Sequence, residues 1–165
     1  MTSLAPLLDA APLVQFHAGA AMSSLALGPV ALYRRRRDRL HKAAGYAWIT
    51  AMAATSLSSF GLHSIRWVGP FGPIHLLSVV TLVALVLGLR AAIRRDIRRH
   101  RAIMQKLWYF GLLLAAIFTL SPGRVMNRVL VGGDNEAGVL LIGALLASAG
   151  MAWVLSRRKG LRRNA

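Results

Sequence analysis

Four histidines stand in a repeated arrangement. His17 and His41 are 24 residues apart, His75 and His100 are 25 apart, and the second pair follows the first at an offset of 58 to 59. Each lies in or beside apolar sequence, where ionisable side chains are costly and mark function by default. A neutral imidazole offers one donor and one acceptor nitrogen and ligates iron, copper or zinc. Two imidazoles facing each other from opposed helices supply the axial ligands of a non-covalent haem. The chain has no cysteine, which excludes disulfides, thiolate metal sites, iron–sulfur clusters and haem attached through C-x-x-C-H.

The repeat sorts the histidines by level. His17 and His75 fall near the starts of the first and third apolar segments, and His41 and His100 at the starts of the second and fourth. In an antiparallel four-helix bundle the first and third helices lie diagonally, as do the second and fourth. His17 with His75 and His41 with His100 are therefore the candidate ligand pairs for one or two b-type haems. Arg36, Arg101 and Arg124 are placed to meet propionates. Other uses compete with ligation: hydrogen bonds between helices for His17 and His75, and a solvated interfacial position for His41 and His100. His63 stands outside the repeat; with His17 and His75 it forms an alternative copper-binding set.

The elements that must hold these residues are long apolar runs, roughly Leu13 to Tyr33, Ala43 to Ile65, Ile74 to Leu89, Ala102 to Leu120 and Ala137 to Leu155, none containing an acidic residue. A membrane crossing needs about 20 residues at ~1.5 Å rise each. The expected fold is all-α: a polytopic transmembrane helical bundle with a four-helix core over about 13–120, an additional fifth helix over about 137–155 and a basic tail at 156–165, forming one domain. Eighteen of the 21 Lys and Arg residues fall in Arg34–Lys42, Arg90–Lys106 and Arg157–Arg163. Five crossings put these on one face, which the positive-inside rule assigns to the cytoplasm, with the N-terminus outside a bacterial inner membrane. The spacing of the basic runs follows from topology, and a nucleic-acid partner is not required. The lipid bilayer is the partner they imply. No Lys or Arg precedes Arg34, so a charged signal-peptide n-region is not expected.

Turn chemistry separates the runs: Trp67 to Pro73 is rich in Gly and Pro, and Ser121-Pro122-Gly123-Arg124 ends the fourth segment, followed by a loop to Glu136. Trp67, Trp108 and Trp153 fit interfacial belts, and the methionines read as core filler. Gly45 and the small residues of AGYAWITAMAATS leave room for a flat ring between helices.

The segments HAGAAMSSLALGPVALYRR, HKAAGYAWITAMAATSLSSF, FGPIHLLSVVTL and HRAIMQKLWYFGLLLAAIFTLSPGR together resemble a family of bacterial membrane proteins known as domain of unknown function 2306, over roughly residues 15 to 128. Its markers here are His41 with Gly45, Ser58-Ser59-Phe60, the I-H-L-L-S around His75, His100-Arg101 with Met104, and Pro122-Gly123-Arg124. The histidine layout is similar to that of di-haem four-helix cytochromes b. That likeness implies electron transfer, as a membrane oxidoreductase or an electron-transfer subunit, with quinol or a small reductant as donor. The competing reading is a non-enzymatic scaffold or assembly subunit that docks on a redox or other membrane-complex partner.

Overall fold

A computed structural model describes residues 4–34, 36–62, 72–121 and 123–131, together with 140 and 143–144. His63, Trp67, Trp153, most of the fifth apolar segment and the basic tail lie outside the described residues. The described residues contain helices and no strand. They are a single turn α1 (Ala5–Leu8), α2 (Pro12–Tyr33), α3 (Arg39–Ser59), α4 (Pro73–Ile93), α5 (Ile97–Lys106), a π-helical turn (Leu107–Gly111), α6 (Leu112–Leu120) and α7 (Val125–Val131). The chain divides into two compact units, Leu7–Leu112 and the remainder.

In the first unit, α2 packs on α3, α3 on α4, α4 on α5, and α5 returns to α2. This ring of contacts sets α2 opposite α4 and α3 opposite α5, as expected of a four-helix bundle. The helices extend further into the basic runs than the hydropathy pattern suggests. α3 begins at Arg39 because the Asp38 carboxylate accepts the His41 amide N–H at 3.0 Å. α5 begins at Ile97 because Asp96 accepts the Arg99 N–H at 3.0 Å. Both acids of the basic connections are thus helix N-caps. The Arg94–Asp96 corner is also tight: Arg95 takes a left-handed φ of 62°, and the Arg95 and Asp96 amides return to Ala92 and Ala91 carbonyls. That is the Schellman arrangement, with arginine where glycine is usual.

The core of this unit is divided along its length. Towards the basic connections it is apolar, built from Ala31, Ala44, Trp48, Met52, Leu85, Met104 and Leu107. Towards the other end the buried residues are polar, including Ser56, Ser58, Ser59, His75 and Ser78. Three glycines admit side chains: a Cβ on Gly28 would overlap the Trp108 ring, one on Gly88 the Met104 methyl, and one on Gly61 the end of Leu13. Trp108 is a packing residue, half-buried over Gly28 and tilted against Trp48 at 6.4 Å. It sits on the π-helical turn, whose Tyr109 hydroxyl lies 2.6 Å from that of Tyr33.

α4 is long and apolar enough to cross a membrane, over Ile74–Ile93, with mean hydropathy 2.4. Leu76, Val79, Val80, Val83, Val86 and Leu87 are exposed along it, an apolar wall suited to lipid. It is the one such helix among the described residues. α2 and α3 have 22 and 21 residues, but Gln15, His17 and paired serines dilute the first, and Arg39, His41, Lys42 and several hydroxyls the second. The continuous apolar course of the fourth segment is divided among α5, the π turn and α6.

In the second unit, the expected loop from Ser121 to Glu136 contains α7. The fully buried Asn127 of that helix donates from Nδ2 to the Leu120 carbonyl at 2.7 Å, capping the end of α6. Gly123, at φ 81°, makes the turn between them.

Candidate functional site

At the end of the bundle away from the basic connections, His17 and His75 both meet the last turn of α3. His17 Nδ1 is 2.9 Å from Ser58 Oγ. The Ser58 hydroxyl donates to the Ala54 carbonyl at 2.7 Å, so its oxygen accepts and His17 Nδ1 is the donor. In the neutral ring that leaves the His17 lone pair on Nε2. His75 has the opposite tautomer. The Gly72 amide donates to His75 Nδ1 at 3.0 Å, so Nδ1 carries the lone pair and Nε2 the proton.

His75 is thus the third residue of α4 reaching back to the N-cap amide, the part a Glu or Gln takes in a capping box. It is 3% exposed and packs against Phe60 with ring centroids 5.7 Å apart. Ser59 and Ser78 hydroxyls meet at 2.6 Å beside it, tying α3 to α4. Ligation through His75 Nε2 requires its proton to move to Nδ1, where it would face the Gly72 N–H. The His17–His75 pair, as arranged, does not fit bis-imidazole ligation.

The basic end differs. The His100 Nδ1 lies 2.9 Å from the Gly88 carbonyl, which only accepts, so Nδ1 is the donor and the neutral ring has its lone pair on Nε2. An Nδ1–H held by a backbone carbonyl is the usual support for a metal-ligating imidazole. His41 Nδ1 is buried and has no hydrogen-bond partner among the described residues. One turn along the same face, a Cβ on Gly45 would meet nothing within 4 Å, so the helix surface at Gly45 is open. Trp48, a further turn on, is 1% exposed and its indole N–H is also without a partner there. His41 on α3 and His100 on α5 occupy diagonal helices.

Of the expected propionate partners, Arg36 and Arg101 are exposed at the basic end, and Arg124 is half-buried at the start of α7 in the other unit. Arg101 lines an exposed groove with Ile97, Arg98, Ala102 and Gln105. Arg34 forms a two-pronged ion pair with Asp38, which, with the His41 amide, holds that carboxyl well below the usual range. Among the described residues no three His, Asp or Glu side chains come together as a metal-holding group. The copper set includes His63, outside those residues.

Sequence reasoning missed the caps Asp38, Asp96, His75 and Asn127, and the glycine sockets Gly28 and Gly88. The signal for the first two was available as D-x-x-H and D-x-x-R ahead of apolar periodicity.

The bundle exposes one apolar helix, α4, of membrane-crossing length. The chain belongs to the family described as predicted membrane protein, domain of unknown function 2306 (DUF2306), whose profile covers residues 14–156. No curated protein and no solved structure matches it.

Proposed function

We propose that the protein is a five-span inner-membrane electron carrier that holds one b-type haem between His41 and His100, at a cytoplasmic end defined by its basic connections. The observation that carries this reading is the His100 Nδ1–H bond to the Gly88 carbonyl, which presents Nε2 as a ligand. The open face at Gly45 and the unpartnered His41 Nδ1 support it. A haem there supplies one-electron chemistry, with quinol or a small reductant as the donor class. Arg36 is the cation available to a propionate, and the apolar core around Trp48 keeps water from the ring.

A scaffold or assembly role is the second reading. It is favoured by His17 and His75, whose ring nitrogens hold helix ends in place.

A dithionite-reduced minus air-oxidised spectrum of the purified full chain, expressed with adequate haem, separates the two. The expected result is a b-type α-band that disappears in His41→Ala and His100→Ala and persists in His17→Gln and His75→Gln. A flat spectrum from folded protein would leave the scaffold reading.

A further inference from the structure

The basic end has many cations and few acids to answer them. Its two described acids are both engaged, Asp38 by Arg34 and the His41 amide, and Asp96 by the Arg99 amide. Arg34–Asp38 is the one ion pair among the described residues. Arg98 and Arg101 therefore have no carboxylate partner there. They stand three residues apart on α5, a spacing that brings side chains to one helix face. Together with Gln105, Ile97 and Ala102, all on α5, they line an open groove along one face of that helix. Ile97 is 43% exposed, so the groove is basic on one side and apolar at its border.

We propose that this groove binds the head group of an anionic phospholipid. Two guanidinium forks match phosphate oxygens in a way that ammonium groups do not. Gln105 adds a neutral donor for a glycerol or ester oxygen. The apolar border accepts the start of an acyl chain, which a free phosphate lacks. The charge complementarity is local: neighbouring cations such as Arg37 and Arg39 attract the membrane surface in general, whereas Arg98 and Arg101 select a head group. This rests on the reading that the basic end lies at a membrane surface.

The test is native mass spectrometry of the purified full chain in mild detergent, titrated with phosphatidylglycerol or phosphatidylcholine. The wild type is expected to retain phosphatidylglycerol preferentially. Arg98→Gln with Arg101→Gln is expected to lower that retention by roughly fivefold, the effect of losing two solvent-exposed ion pairs. Arg37→Gln with Arg39→Gln should leave it unchanged. Arg98→Lys with Arg101→Lys, which keeps charge and helix, should give an intermediate loss and carries the test if the glutamine pair does not fold. Equal retention in the glutamine or lysine pair, equal loss in the Arg37/Arg39 pair, or full displacement by inorganic phosphate would overturn the proposal. Failure of the membrane orientation would be seen separately, by labelling of engineered cysteines.

Discussion

At the residue scale, what a histidine does here is decided by the partner of its Nδ1. A carbonyl or an occupied hydroxyl makes Nδ1 a donor and frees Nε2, as for His100 and His17. An amide N–H does the reverse, as for His75. His75→Gln keeps an acceptor within reach of the Gly72 amide and is expected to retain most of the thermal stability. His75→Ala removes the cap and should cost about 0.5–2 kcal/mol, the range of lost caps. Thermal melts in detergent check this; equal loss in both variants would show that the ring's packing on Phe60 matters more than the cap. Asp38 gives a pH prediction. Its carboxyl is held low by Arg34 and then by the His41 amide, so its stabilising charge is fully present above the ordinary carboxylate pKa of about 3.9 and is lost only as pH falls through the depressed value. A carboxyl carbon NMR titration should find Asp38 still ionised at pH 3. A midpoint in the ordinary range would mean that the Arg34 pair does not persist in solution.

At the element scale, the bundle's close approaches are set by glycines that hydropathy does not distinguish from the others. Gly28 lies under the rigid Trp108 ring, whereas Gly45 and Gly19 face open space. Gly28→Ala should therefore destabilise by about 1–3 kcal/mol, the usual cost of overpacking, while Gly45→Ala changes stability little. Gly88→Ala should fall between them, because the Met104 methyl it meets can rotate away. Denaturation in mixed micelles ranks the three; a tolerant Gly28 would mean that Trp108 can leave its socket. The small-residue pattern suggested close packing somewhere in α2 and α3, but only the π turn, by carrying Trp108 to Gly28, selects the position.

At the scale of the whole molecule, the cysteine-free chain is suited to a direct measurement of topology. Single cysteines introduced at Arg37, Gly72 and Arg95 in an otherwise native chain should divide by side. Cysteines at 37 and 95 should be protected from a membrane-impermeant maleimide added to intact cells, and the one at 72 labelled. Labelling at all three positions would remove the positive-inside orientation.

The helical class, the basic connections and the four histidine positions were legible in the sequence, because hydropathy, charge and spacing are local properties of the chain. The ends of the helices were only partly so. Hydropathy sees the arginines of Arg39–Lys42 and Ile97–Arg101 as interruptions, whereas Asp38 and Asp96 satisfy the amides that let those residues coil. The α7 helix was missed because the Pro-Gly sequence ahead of it and Asn127 within it read as loop chemistry until Asn127 is seen capping Leu120. The sequence by itself determined a membrane-suited, all-helical chain with paired histidines at two levels. Only the tertiary structure decided which ring nitrogen of His75 and of His100 carries the proton, because an imidazole's tautomer depends on a hydrogen-bond partner brought near by folding: Gly72 for one ring, Gly88 for the other.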